Sequence, residues 1–197
     1  MSKYQTNNPV ARWIIRRFLD QLCARIAALE PTAILDLGCG EGIVARELTR
    51  ILPDTHYTGI DVSEEALRTA RDLNPGITFQ QQSVLEVEPA AHRADLVLCV
   101  EVLEHLERPD LAAARIAACT GDRAIVSVPW EPYFRLGNLL RGNYVSTWGN
   151  HPEHIQAFEP RSLRALLGPH FASVDVETCF PWLIAIGSRN TAADRGA

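Results

Sequence analysis

Three glycines at alternating positions interrupt this chain where a short apolar run gives way to a helical pattern. The run covers residues 33–35, the glycines are Gly38, Gly40 and Gly42, and the helical pattern resumes at Val44. Glycine is required where the backbone adopts a positive φ or where a ligand comes close, because any Cβ would collide. The N–H groups at the start of a helix suit a polar or anionic part of a ligand. The segment therefore predicts a buried strand, a tight turn and a helix N-terminus that together bind a nucleotide-like molecule.

Two acidic residues make this turn more specific than its glycines alone. Asp36 stands two residues before Gly38, and Asp61 ends the next apolar segment, 19 positions after Gly42. A carboxylate at the end of a second strand can accept hydrogen bonds from both hydroxyls of a ribose. The glycine spacing also differs from that of the dinucleotide fingerprint, in which two residues separate the last two glycines. The pattern thus favours a nucleoside-containing ligand and disfavours a nicotinamide dehydrogenase.

With these glycines and acids in place, the chain resembles the class I S-adenosylmethionine-dependent methyltransferases over about residues 7–189. The resemblance implies S-adenosylmethionine as cofactor and a set of cofactor-binding residues. These residues are Arg12, Asp36, Gly38, Gly40, Asp61, Val62, Ser83, Val84 and Val100. Relatives usually carry an acid after the third strand, bonded to the adenine amino group, whereas this chain has Ser83 there. Arg12 either reaches the methionine carboxylate or lies on the solvated face of its helix.

Apolar runs and helical patterns alternate along the chain in the manner of a doubly wound α/β fold. We expect one domain over residues 1–197, with an N-terminal helix at 10–30 and a flexible tail at 189–197. The predicted strands are 33–35, 57–61, 77–81, 94–100, 124–128, 172–178 and 182–188. Right-handed crossovers give an open twisted sheet whose ligands lie at the carboxyl ends of its strands. The resemblance implies a Rossmann-like, mostly parallel sheet of seven strands in the order 3-2-1-4-5-7-6, with the seventh antiparallel.

Charge, cysteine content and apolar runs indicate which partners and which cellular compartment to expect. The net charge of -5 argues against a surface built for nucleic-acid phosphates, so a nucleic-acid partner is not expected. The five cysteines are scattered and odd in number, which indicates reduced thiols. No segment approaches the roughly 20 apolar residues of a membrane span, and the N-terminus is too polar for a secretory signal. These features predict a cytoplasmic protein without a membrane span.

A polar cluster follows the fourth predicted strand directly. On an α-helix Glu101, Glu104 and His105 would share a face, since they are spaced i, i+3 and i+4. Two carboxylates and an imidazole would suit a hard divalent ion such as Mg²⁺. The Glu-x-x-Glu-His pattern resembles the O-methyltransferases of ubiquinone biosynthesis and the small-RNA 3′-terminal 2′-O-methyltransferases, whose later metal-binding histidine matches His154. The alternative is that the glutamates only favour the helix dipole.

Residues 129–157 break the regular alternation and are predicted to cover the substrate, because the segment is too long and too aromatic for a plain connector. Its histidines are candidate general bases, as imidazole titrates near neutral pH. These histidines are His151 and His154. Together with Glu101 and His105, which follow the fourth strand, they are the predicted catalytic residues. The aromatic residues that line a pocket for the acceptor, or form a small core beneath the segment, are Trp130, Tyr133, Phe134, Tyr144 and Trp148.

The sequence thus predicts a methyltransferase acting on a small organic acceptor, at a hydroxyl oxygen. If that acceptor is a hydroxyl, a base or a metal ion must help to remove its proton. One alternative is a metal-dependent RNA 3′-terminal 2′-O-methyltransferase, disfavoured by the acidic balance. The other is a non-catalytic S-adenosylmethionine-binding partner or regulatory subunit, which would not need the cluster of Glu101, Glu104 and His105.

Overall fold

A computed structural model of the protein describes residues 8–130 and 155–189. A seven-stranded sheet forms its centre, with the order β3-β2-β1-β4-β5-β7-β6. The strand pairs β3–β2, β2–β1, β1–β4 and β4–β5 are parallel, while β7 is antiparallel to both β5 and β6. The predicted strand order and the antiparallel seventh strand are confirmed.

The seven strands begin and end within two residues of the predicted bounds, apart from the start of the fifth. They are β1 (Ala33–Leu37), β2 (His56–Asp61), β3 (Thr78–Gln81), β4 (Ala94–Val100), β5 (Thr120–Pro129), β6 (Ser173–Cys179) and β7 (Trp182–Ser188). The sequence underestimates β5 most, because its first residues are polar. They nevertheless pair with β4, since Ala94 lies opposite Thr120 and Leu96 opposite Arg123.

The described residues form five α-helices. They are α1 (Pro9–Ala27), α2 (Ile43–Ile51), α3 (Glu64–Leu73), α4 (Pro109–Cys119) and α5 (Pro160–Leu167). Two 3₁₀ turns, Val84–Glu86 and Leu103–His105, follow β3 and β4. The helix predicted at residues 10–30 spans Pro9–Ala27, and Phe158, shortly before α5, forms an isolated bridge with Trp130.

Alternating residues of the central strands pack into two apolar clusters, one on each face of the sheet. Ile34 and Leu98 belong to one cluster, whereas Leu35 and Val97 belong to the other, and all four are nearly inaccessible to solvent. Parallel strands covered on both faces require such continuous apolar runs. The sheet is therefore a fixed platform for the loops at its carboxyl edge.

Helix α1 is capped at its start and packs against the sheet from Phe18 onward. Asn8 caps it by accepting hydrogen bonds from the N–H groups of Val10 and Ala11. The ring of Phe18 stacks on that of Trp182, with centroids 4.5 Å apart. Trp182 lies opposite Pro129 at the carboxyl end of β5, so the N-terminal half of α1 lies at the edge where ligands of such sheets bind.

Part of the predicted organisation concerns residues that the structure does not describe. The substrate cover predicted at 129–157 lies mostly outside the described residues, as does the tail from residue 190. The single-domain organisation over 1–197 stays a prediction. Among residues 8–130 and 155–189, no helix combines the length and apolar character needed to cross a bilayer.

Candidate functional site

The glycine turn after β1 leaves an open position above the sheet. Gly40 has a φ of +53°, and a Cβ built there would meet no atom of residues 8–130 and 155–189 within 4 Å. Gly38, with a φ of +86°, is different, because its Cβ would lie 2.3 Å from a methyl group of Val102. Gly38 therefore serves the packing of the turn, and Gly40 leaves the backbone approachable, as predicted for a ligand-binding turn.

Asp61 connects the glycine turn to the next helix. Its Oδ2 accepts a hydrogen bond from the N–H of Gly40 at 2.8 Å, and its Oδ1 accepts one from the N–H of Ser63 at 2.9 Å. A carboxylate has about four acceptor positions, so both oxygens retain capacity for further donors. The side chain is thus held in place while remaining able to bind a pair of hydroxyls.

Val62 follows Asp61 at the same edge and is 70% exposed. The side-chain amide of Gln81, at the end of β3, donates to the carbonyl of Val62 at 3.0 Å. This contact fixes the loop after β2 against β3. A large apolar side chain presented to solvent beside an acid is suited to packing against a flat base.

Ser83 and Val84 lie directly beyond β3. The hydroxyl oxygen of Ser83 accepts a hydrogen bond from the N–H of Leu85 at 3.3 Å and so caps the 3₁₀ turn. Its hydroxyl proton can still donate. Val84 is 7% exposed and belongs to the core. Ser83 can therefore donate a hydrogen bond to a ligand, whereas Val84 offers only a small apolar surface.

Asp36 is the predicted cofactor-binding residue whose environment differs most from an open site. It is 1% exposed and lies in β1, below the glycine turn. The hydroxyl of Tyr57, a residue to which the sequence analysis assigned no role, donates a hydrogen bond to its Oδ2. The contact depends on the register of β1 against β2, in which Tyr57 lies opposite Ile34, two residues before Asp36, so the tyrosine reaches the acid diagonally.

The segment after β4 is not the α-helix that the spacing predicts. Glu101 has a φ of +59°, in the left-handed region that non-glycine residues rarely adopt. Its N–H donates to the carbonyl of Ser127, which extends the pairing of β4 with β5 by one residue. A 3₁₀ turn at Leu103–His105 follows. Because Glu101 lies outside that turn, the shared helical face predicted for it with Glu104 and His105 is wrong.

Glu104 and His105 occupy different environments within this turn. Glu104 is 1% exposed, and its carbonyl accepts hydrogen bonds from the N–H groups of Ile155 and Gln156 at 2.8 and 3.1 Å. The imidazole of His105 is about one third exposed, and its Nε2 lies 3.8 Å from Oε1 of Glu104. The turn therefore presents an accessible imidazole beside a buried carboxylate.

The predicted magnesium site receives no support from these residues. Within residues 8–130 and 155–189, no three His, Cys, Asp or Glu side chains come together in a group suited to a metal ion. His154, the fourth predicted ligand, lies outside the described residues, as does the candidate base His151. The metal site predicted for Glu101, Glu104, His105 and His154 therefore stays a prediction, because one of its four ligands lies outside the described residues.

Other predicted site residues lie at or beyond this edge. Arg12 is exposed on α1, and Val100 ends β4 with 6% of its surface exposed. Trp130 follows β5, and its N–H donates to the carbonyl of Pro181 at 2.9 Å. The aromatic residues Tyr133, Phe134, Tyr144 and Trp148 lie outside the described residues.

Comparison with known proteins places this geometry in a family. Residues 34–120 match the model of a family described as a methyltransferase domain. The chain is 31% identical over 164 residues to the ubiquinone biosynthesis O-methyltransferase of Hahella chejuensis, covering 78% of this chain and 66% of that relative. It is 34% identical over 116 residues to the Aeromonas salmonicida protein of the same name, covering 55% and 48% respectively. The chain thus spans only 48% and 66% of the lengths of these two relatives.

A solved structure agrees with the fold. The magnesium protoporphyrin IX methyltransferase of Synechocystis PCC 6803, with bound SAH, superposes with a TM-score of 0.71 at 22% identity. The match covers 95% of this chain and 91% of that one. The strand order and the glycine turn with its two acids indicate the same family as the similarities to these known proteins. The chain belongs to the class I S-adenosylmethionine-dependent methyltransferases.

Proposed function

We propose that this protein transfers a methyl group from S-adenosylmethionine to a hydroxyl oxygen of a small organic acceptor. The observation that carries the proposal is the open position at Gly40 beside the anchored carboxylate of Asp61. Two relatives named ubiquinone biosynthesis O-methyltransferase support oxygen as the methylated atom. No observation on the described residues favours an RNA acceptor or a purely binding role.

The residues at the glycine turn would hold the methyl donor. Asp61 would accept hydrogen bonds from the two ribose hydroxyls, since both of its oxygens are fixed by backbone N–H groups. Val62 would pack against the adenine, and Ser83 would offer its hydroxyl to the edge of the base. When bound, the donor supplies a methyl group made electrophilic by a positively charged sulfur. The task of the chain is then to align acceptor and methyl group and to exclude water.

The residues after β4 would act on the acceptor. His105 is accessible, and the nearby Glu104 carboxylate would stabilise the positive charge that its imidazole gains by accepting a proton. Glu101 and Val100 would border the same space from the end of β4. We retain His151 and His154 as candidate bases and Arg12 as a candidate partner of the donor carboxylate.

The five cysteines support a reducing compartment. All of them are buried free thiols in the structure. Burial is the first cause that raises the pKa of the Cys23 thiol to about 11, which leaves this group unreactive near pH 7. We therefore propose the cytoplasm as the site of action.

A binding titration followed by a transfer assay tests the proposed function. We expect S-adenosylhomocysteine to bind the wild type, and Asp61→Asn to weaken binding about 30-fold, because charged hydrogen bonds to the ribose are lost. The matched control Asp72→Asn changes an exposed acid on α3 and leaves affinity unchanged. Radiolabelled methyl transfer to 3,4-dihydroxybenzoate and related phenols then tests the acceptor class. A folded wild type that binds no S-adenosylhomocysteine would contradict the proposal, and binding without transfer to any phenol would contradict its acceptor.

A further inference from the structure

A tyrosine and an aspartate form a buried hydrogen-bonded pair below the glycine turn. Tyr57 is 5% exposed and Asp36 is 1% exposed, and both lie on the face of the sheet whose apolar cluster includes Ile34 and Cys39. The phenol hydroxyl is the donor and the Asp36 carboxylate the acceptor. Placing such a pair among apolar side chains costs free energy that an apolar pair would not. Its position at the cofactor edge points to a use in binding.

The thiols and the phenol around Asp36 stay neutral near pH 7. Burial is the main reason why the pKa of the thiols of Cys23, Cys39 and Cys99 is raised. The nearby Asp36 carboxylate raises the pKa of Cys39 and Cys99 further. Burial also raises the pKa of Tyr57, followed by the charge of Asp36. The tyrosine therefore keeps its proton and remains a hydrogen-bond donor.

Charged groups reach this cluster from three directions. Asp61 at the end of β2 raises the pKa of Cys39, and Arg71 on α3 lowers it. Glu104 after β4 raises the pKa of Cys99. Two acids, Asp36 and Asp61, thus lie near Cys39, the residue next to Gly40, and Asp61 accepts a hydrogen bond from the N–H of Gly40.

The strand order assigns different parts of the donor to the two acids. Asp61 ends β2, next to β3, where the ribose and adenine are proposed to bind. Asp36 is in β1, next to β4, on the side where the acceptor is proposed to bind. The donor must place its sulfur near the acceptor, so its amino-acid portion, with a positively charged ammonium group, lies on the side of Asp36.

We propose that Tyr57 is a positioning residue, whose hydroxyl holds the Asp36 carboxylate ionised beneath the glycine turn, where its negative charge attracts the ammonium group of the methyl donor. This inference rests on the proposed function. Hydrogen bonding to the charged form of a carboxyl group lowers its pKa. Removing the hydroxyl therefore favours protonation of Asp36 and weakens the attraction, most strongly at low pH.

Tyr57→Phe tests the proposal, because it removes the hydroxyl and keeps the ring. Calorimetric titrations at pH 6, 7 and 8 would use S-adenosylhomocysteine and 5′-methylthioadenosine, which has the nucleoside and the sulfur but lacks the amino-acid portion. We expect the affinity for S-adenosylhomocysteine to fall about tenfold at pH 6 and about threefold at pH 8. The affinity for 5′-methylthioadenosine should remain within about twofold at every pH, because that ligand has no ammonium group.

Two further variants keep the result interpretable. Asp36→Asn removes the charge at every pH, so its loss of S-adenosylhomocysteine affinity should not depend on pH. Thr120→Val removes another buried hydroxyl, which donates to the carbonyl of Ile116 at 2.7 Å at the opposite edge of the sheet, and should change neither affinity. It controls for a general loss of stability.

The outcomes separate the inference from the proposed function. A Tyr57→Phe loss that is equal for both ligands, or that is the same at pH 6 and pH 8, would overturn the positioning role and leave the methyltransferase function standing. Failure of the folded wild type to bind S-adenosylhomocysteine would overturn both.

Discussion

The turn after β1 and the segment after β4 leave the same edge of the sheet, yet they are built differently. The first is held by backbone N–H groups, because Gly38 and Cys39 both donate to the carbonyl of Ile60, and Gly40 donates to Asp61. The second depends on a strained residue, Glu101, and on contacts with distant parts of the chain. The glycine turn is thus held by the neighbouring strand β2, whereas the segment after β4 is held both by the neighbouring strand β5 and by Ile155 and Gln156.

We expect the two regions to have different functions, the turn after β1 in binding the methyl donor and the segment after β4 in the reaction step. Changes on the β1 side should alter affinity for the donor and leave the reaction step intact. Changes on the β4 side should slow the reaction and leave donor affinity intact. This separation can be tested with one substitution on each side.

His105→Gln should have the larger effect. Glutamine retains hydrogen bonding but cannot accept the acceptor proton, so kcat for the methylated phenol should fall about 100-fold. The affinity for S-adenosylhomocysteine should stay within about twofold. Steady-state kinetics and calorimetry measure the two quantities, and His170→Gln, which changes an exposed histidine after α5, is the control. A parallel fall in donor affinity would contradict the separation.

Gly40→Ala should have a smaller effect, on binding alone. Its methyl group would occupy the open position, so S-adenosylhomocysteine should bind about 30-fold more weakly, in line with an overpacking cost of about 2 kcal/mol. Stability should fall by only about 1 kcal/mol, because the backbone is left-handed and no atom in the described part of the chain contacts the new methyl group.

The neighbouring Gly42→Ala sharpens the test. A Cβ there would lie 2.6 Å from the side-chain nitrogen of Asn74, in a backbone with a φ of +70°. The expected loss is therefore in the free energy of unfolding, by about 2 kcal/mol, with donor affinity retained. Denaturant unfolding and calorimetry would show whether the two glycines exchange these roles, which would contradict the account of the turn.

The two regions also differ in how far the sequence predicts them. The glycine turn was predictable from a short pattern whose spacing reflects local geometry, whereas the strand order was implied by the resemblance to a known family. The residues after β4 have helical spacing but form a 3₁₀ turn, since Glu101 takes a positive φ to extend its pairing with Ser127. That contact joins residues far apart in the chain, so no local pattern could indicate it.

The same limit applies to the buried acid. The sequence predicts Asp36 as a cofactor-binding residue, and its spacing from Gly38 is the reason. Its burial and its bond with Tyr57 depend on the register of β1 against β2, where Gly59 lies opposite Asp36. Register is set by tertiary packing as well as by local pattern, and a single sequence reveals it poorly.

The central claim is that the methyl donor binds over Gly40 between Asp61 and the end of β4. An amide-resolved NMR titration of the ¹⁵N-labelled protein with S-adenosylhomocysteine tests this most directly. The account predicts that the largest shift changes occur at residues 38–42, 61–63 and 83–85, with the amide of Gly40 among the strongest. Saturable binding whose largest changes lie at the amino ends of the strands, with the glycine turn unperturbed, would contradict it.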